Sequence, residues 1–166
     1  MNRAEEALKA AVEILGRRGA SVAEIEAALK RKGFAGEEIR EAESRLKELG
    51  YLDDERFATE WASLRAGGGS GVARLGANGL RAGLIGRGIE PRLAAEVSET
   101  VMPPDAETRA ALEVASRRLR VYSRLDRETQ ERRLWSYLAR RGFRPAAIAR
   151  ALAETLNVTD GDMGET

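Results

Sequence analysis

Few residues in this chain are placed to do chemistry. Asp53-Asp54-Glu55 is its longest acidic run, and consecutive carboxylates could hold a divalent cation or share acid–base work. The run stands just ahead of Phe57, Trp61 and Leu64, an apolar series at helical spacing. Three acids at a helix start serve as an N-cap, on Asp53 or Asp54, with neighbours that complement the helix dipole, and that role accounts for them without chemistry. Trp61 and Trp135 offer faces on which bases could stack. Both fall in phase with apolar neighbours, as core or groove-lining residues do. The run Gly67-Gly68-Gly69-Ser70-Gly71 lacks the Lys-[Ser/Thr] that completes a phosphate-cradling loop. The chain has no His and no Cys, which excludes a His base, a Cys nucleophile, disulfides and zinc sites built on either residue. The sequence therefore predicts no catalytic residue, no metal site and no cofactor.

Charge is more informative. The net charge is only +1, yet residues 1–64 carry −3, residues 65–150 carry +8 and residues 151–166 carry −4. No Lys follows Lys47, so the basic middle is all arginine. The guanidinium fork suits bidentate contact with phosphate or carboxylate; codon usage is an alternative reason for the bias. Candidate partner contacts are Arg74, Arg81, Arg87 and Arg92, followed by Arg117, Arg118, Arg132, Arg133, Arg140, Arg141 and Arg144. Paired arginines are ordinarily solvated faces, and both readings stay open for them.

The elements that must position these residues are helical. Hydrophobic residues make up 43% of the chain and aromatics only 5%, with Ala and Leu dominant, a mixture that favours helices over strands. No apolar stretch reaches the length of a bilayer span, and the charged start does not resemble a signal peptide. The expectation is a cytoplasmic monomer with no membrane association.

An internal repeat organises the chain. Leu29-Lys30-Arg31-Lys32-Gly33-Phe34 recurs as Leu84-Ile85-Gly86-Arg87-Gly88-Ile89 and again as Leu138-Ala139-Arg140-Arg141-Gly142-Phe143. A basic residue and a glycine at a helix end suit the negative dipole end and a left-handed cap. Pro91 and Pro145 then fit the first turn of the next helix, with Gly36 in the corresponding place of the first copy. Apolar spacing predicts nine helices in three triplets. Their inward stripes include Leu8, Val12 and Leu15; Ile25 and Leu29; Ile39, Ala42, Leu46 and Leu49; Leu80 and Leu84; Leu134 and Leu138; and Ile148, Leu152 and Leu156. Expected boundaries are 1–52, 53–103 and 104–158, with an acidic disordered tail over 159–166. The fold class expected is all-α, three tandem three-helix repeats forming an elongated curved array. Gly76, Gly79, Gly83 and Gly86 crowd the helix before the second repeat turn. At about 1 kcal/mol each against Ala, they predict a helix that is short, frayed or dependent on its neighbours.

Tyr51-Leu52-Asp53-Asp54-Glu55-Arg56-Phe57-Ala58 is similar to the Tyr-Leu-[Asp/Asn]-Asp-x-[Arg/Lys]-[Phe/Tyr]-Ala motif of the RecX family. Gly71-Val72-Ala73-Arg74-Leu75 resembles the family's Gly-Pro-x-[Arg/Lys]-[Ile/Leu] element, with Val72 in place of the common proline. Gly88, and Gly142-Phe143 with the residues before it, resemble its repeat turns. One departure stands out: the apolar register of the next helix fits Leu80 better than Leu75, as if about five residues were inserted. The resemblance implies tandem three-helix repeats, no enzymatic activity, and binding to a RecA recombinase filament on single-stranded DNA. It also implies inhibition of that filament's ATPase, strand exchange and coprotease activities, hence negative regulation of recombination, repair and the SOS response. Two other classes stay open from the residues alone: a helical DNA-binding protein using its basic face, weakly or otherwise, and an adaptor solenoid for another protein.

Overall fold

The computed structural model describes residues 2–69 and 73–162. Its regular elements, among those residues, are nine α-helices and one short 3₁₀ turn. The first module holds α1 (Arg3–Leu15), α2 (Val22–Arg31) and α3 (Gly36–Glu48). The second holds α4 (Asp54–Gly67), α5 (Ala77–Ile85) and α6 (Pro91–Val101). The third holds α7 (Pro104–Leu119), the 3₁₀ turn Arg120–Tyr122, α8 (Arg127–Arg140) and α9 (Pro145–Asp162). The main helix-on-helix packing falls inside these triplets. The chain is all-α, in three three-helix modules joined in series.

Local chemistry sets the helix starts. Ser21 and Glu24 form the expected capping box on α2. Asp53, rather than Asp54, caps α4 by accepting the Arg56 N–H at 3.0 Å. Leu80 is fully buried on α5, whereas Leu75 lies in the loop before it, as the apolar register anticipates. Gly71 and Val72 of the resembling element lie outside the described residues.

Three stripe positions face outward instead of inward: Val12, Leu49 and Leu64 are 45%, 50% and 58% exposed. The buried faces of α1 and α4 are made by Ala7 with Ala11, and by Ala58 with Ala62. Methyl side chains let the helix axes approach closely, which turns the larger neighbours toward the flanks. Helix α9 continues through Asp162, four residues into the segment expected as a tail; residues 163–166 lie outside the described residues.

The three repeat turns are nearly superposable in their bonding. Phe34, Ile89 and Phe143 each donate a backbone N–H five residues back, to Leu29, Leu84 and Leu138, at 3.2, 3.1 and 3.3 Å. Gly33, Gly88 and Gly142 have φ of 84°, 80° and 75°, the left-handed geometry of a Schellman cap. What each turn touches differs. Among the described residues the Gly33 turn is met by its own module: Arg3 donates to the Gly33 carbonyl at 3.1 Å and covers the Phe34 ring. The Gly88 turn sits on the start of α2, where a Cβ on Gly88 would strike the Ala23 methyl. The Gly142 turn sits on the start of α5, where a Cβ on Gly142 would fall on the backbone of Gly79.

The glycines of α5 are therefore contact surface. A Cβ on Gly76 or Gly79 would run into the backbone of residues 141–143, and one on Gly83 would strike the Trp61 ring. The helix is short and dependent on its neighbours, as expected, but the same glycines that weaken it alone admit those neighbours. The hydrophobic core reflects this. One continuous cluster, from Ala58 to Leu156, spans the second and third modules. The first module has its own, around Ile25, Leu29 and Leu46.

Candidate partner-binding cleft

Two of the candidate arginines, Arg87 and Arg144, tie elements of the molecule together. Arg87 pairs with Glu24 of the first module at 2.6 Å and lies over the Trp61 ring. Arg144 binds the fully buried Glu107, donates to the Met102 carbonyl at 3.0 Å and pairs with Glu99 at 3.1 Å. Burial pulls the Arg144 guanidinium down, but its hydrogen bonds to Glu107 and Glu99 prevail and hold it above the usual arginine value. Glu107 also accepts the backbone N–H of Ala77 at 3.0 Å and of Arg144 at 2.9 Å, so one carboxylate caps the starts of α5 and α9 together. Arg92 makes an exposed pair with Glu96 one turn along α6. Arg81, Arg117 and Arg140 are exposed, and no described residue pairs with their side chains; Arg132 is exposed near Asp126.

The remaining arginines converge. The last turn of α7, the end of α8 and the loop ahead of α5 enclose a cleft of about 400 Å³. Arg74, Arg117, Arg118 and Arg141 line it against a single acid, Glu113. Arg74 donates twice to the Gly67 carbonyl and pairs with Glu113 at 2.7 Å. Arg141 donates to the Arg74 carbonyl at 3.3 Å and to the Tyr137 hydroxyl at 2.7 Å.

Arginine and tyrosine then alternate away from the cleft wall. The guanidinium of Arg141 lies 4.5 Å from the centre of the Tyr137 ring, and that of Arg118 lies 4.6 Å from the same ring. Arg118 lies 5.2 Å from the centre of the Tyr122 ring, with Arg133 on that ring at 5.8 Å. Each contact is a cation–π pair worth about 0.5–1 kcal/mol near the surface. The Tyr122 hydroxyl accepts from Arg118 Nε at 3.1 Å, and this bond holds the Arg118 guanidinium above its ordinary value. Side chains that would otherwise sample many rotamers are thus held beside Glu113. The cleft is a cationic site whose arginines are held in place by these contacts. Among the described residues no His, Cys, Asp and Glu side chains gather in threes to hold a metal, and no helix is long and apolar enough to cross a membrane.

The motif residues around position 51 lie elsewhere and tie the first two modules together. Leu52 is in the first core, Asp54 accepts the Val22 N–H at 2.9 Å, and Arg56 donates to the Gly50 carbonyl at 2.9 Å. Phe57 packs on the second core beside Gly19, Ala58 is fully buried and Tyr51 is exposed. Trp61 is partly buried under Arg65 and Arg87, and Trp135 is 39% exposed. Sequence reasoning passed over Tyr122, Tyr137, Glu107 and Glu113. The spacing of Arg118 to Tyr122 and of Tyr137 to Arg141, four residues each, was the available signal for the ladder. No local signal marks Glu107, whose partners stand thirty or more positions away.

Known proteins share this architecture. Residues 105–152 match the family model of the third three-helix domain of RecX. A crystal structure of RecX from Lactobacillus salivarius superposes with a TM-score of 0.79 over 92% of this chain and 96% of its own, at 17% identity. A second crystal structure, of a regulatory protein RecX, gives 0.76 over 87% of this chain and 70% of its own, also at 17%. No curated protein sequence matches the chain significantly. At such identities the superpositions establish the fold, and the family model is matched in sequence by the module that carries the arginine–tyrosine ladder. The sequence match is thus to the third domain of RecX, over residues 105–152, set in a fold that RecX structures share along nearly the whole chain.

Proposed function

We propose that this protein is a RecX-type negative regulator of recombination and repair, acting by binding a RecA filament on single-stranded DNA. The observation that carries the reading is the family match over residues 105–152. The physical picture agrees with it. Three modules in series can touch several protomers of a repeating filament, and weak contacts linked in one chain gain avidity. Arg81, Arg117 and Arg140, exposed and unpaired among the described residues, are available for such contacts. Inhibition is steric and allosteric, lowering the filament's ATP turnover, strand exchange and coprotease action.

The test is a titration of RecA ATP hydrolysis on single-stranded DNA. Turnover should fall at substoichiometric amounts of this protein, and binding to the preformed filament should be much tighter than to bare DNA. Unchanged turnover with the protein in excess sinks the reading. Strong, steeply salt-dependent binding to bare duplex, without an effect on turnover, would instead favour a DNA-binding protein.

A further inference from the structure

The cleft beside Glu113 has a more specific chemistry than a basic patch. We propose that it is a docking site for an acidic, partly apolar peptide segment of a protein partner, whose carboxylate replaces Glu113 on Arg74. This deepens the regulator reading and rests on it for the partner's context, while the site itself is argued from four observations.

First, four arginines face one acid, so an empty cleft is strongly cationic and an anionic occupant is matched in charge. Second, the exposed Glu113 side chain already sits on Arg74 at 2.7 Å, which shows that a carboxylate fits there. Third, the arginines that cover Tyr137 and Tyr122 take up ring surface that a nucleobase would need for stacking, the main source of affinity for single-stranded nucleic acid. Fourth, Val114 lines the cleft with Val121, and Val121 is 66% exposed, the most exposed large apolar side chain of the molecule among the described residues. An apolar side chain next to the incoming carboxylate would cover it.

The exchange is a simple displacement. Glu113 swings into water, from a side chain already 54% exposed, and the partner carboxylate takes its place on Arg74. Arg117, one turn from Glu113 on α7 and without a side-chain partner among the described residues, adds a second charge at the rim. Arg118, its Nε on Tyr122, also lines the opening.

The full chain should be titrated by fluorescence anisotropy with a short labelled peptide alternating Glu and Leu, its Gln-for-Glu counterpart, and labelled oligothymidylate. The acidic peptide should bind and the Gln peptide should not. Glu113→Gln should tighten peptide binding several-fold, and Arg117→Glu should weaken it on the order of tenfold, as expected for reversing one charge at a contact. Neither residue is buried, and circular dichroism should be unchanged in both variants. If Glu113→Gln leaves peptide affinity unchanged or lowers it, the displacement is wrong. If Arg117→Glu weakens oligothymidylate binding more than peptide binding, the cleft is a nucleic-acid site and the proposal is overturned. RecA ATPase with the same variants separates the two readings: inhibition that persists while the peptide data fail overturns the cleft proposal alone.

Discussion

The two junctions between modules use the same turn and hold it in different ways. Where the third module meets the second, the contact is backbone on backbone. Gly76 donates to the Arg141 carbonyl at 3.0 Å, and Asn78 and Gly79 donate to the Gly142 carbonyl at 3.0 and 3.3 Å. The N-cap of α5 is a glycine with no side chain to offer, so the free N–H groups of that helix start are satisfied by the carbonyl end of α8 and by Glu107. The positive end of one helix dipole thereby meets the negative end of another. Where the second module meets the first, side chains do the joining. Ser21 donates its hydroxyl to the Arg87 carbonyl at 2.6 Å, Asp54 accepts from Val22, and Arg87 pairs with Glu24. The hydrophobic core runs through the first kind of junction and stops at the second. Backbone interlock with a shared core makes two modules into one body. A polar, side-chain junction leaves the first module a unit beside it.

Substitutions can break this contrast, and Glu107→Ala should do most damage. Removing one member of a buried, hydrogen-bonded charge pair strands Arg144 and two backbone donors, at about 3–5 kcal/mol. Urea unfolding of the full chain would show it as a lower midpoint; a loss under about 1 kcal/mol would mean the clamp is not needed.

The repeat glycines give a graded series, because all three have positive φ and only their surroundings differ. Gly142→Ala should cost about 3 kcal/mol, since left-handed strain is joined by a clash with the Gly79 backbone, which cannot yield. Gly88→Ala should cost about 2 kcal/mol and be partly rescued by Ala23→Gly, because the obstacle there is one methyl. Gly33→Ala, with open space around it, should cost about 1 kcal/mol of backbone strain alone. Equal losses at the three positions, read from urea midpoints, would show that the junctions add nothing to the turns.

The smallest effect lies at the start of α8, on which no repeat turn docks among the described residues. Asp126 caps that start itself. The backbone N–H of Thr129, followed by its hydroxyl, holds the Asp126 carboxyl below the usual carboxylate range. A depressed folded value contributes stability above the unfolded value of about 3.9, and that contribution disappears as pH falls through the folded value. Asp126→Asn keeps a good cap without the charge. Stability at neutral pH should barely change, while the loss as pH falls below about 4 should be shallower than in the parent. Unfolding midpoints across that range would show parallel curves if the cap carries no such linkage.

Much of the fold was legible because it is local chemistry repeated. Ser21 with Glu24, Asp53, Pro91 and Pro145 stand where the helices begin, and Gly33, Gly88 and Gly142 where they end. The candidate site was legible only as a list of arginines. Charge counts could not separate Arg144, taken up by a buried acid, from Arg117, left free, because that choice depends on which residues meet across the modules. Alanine faces misled the stripe reading for the same reason: Val12 and Leu64 look like core until close helix packing turns them out.

By itself, then, the sequence determined an all-helical chain of three like modules with no residues for His or Cys chemistry. These follow from composition and from signals a few residues long. Tertiary structure decided what the glycines of α5 are for, which arginines are structural, and where the free ones gather. A helix interior charges the same cost for Gly79 whatever lies beside it. Only the carbonyl of Gly142 against its N–H makes that glycine a point of assembly.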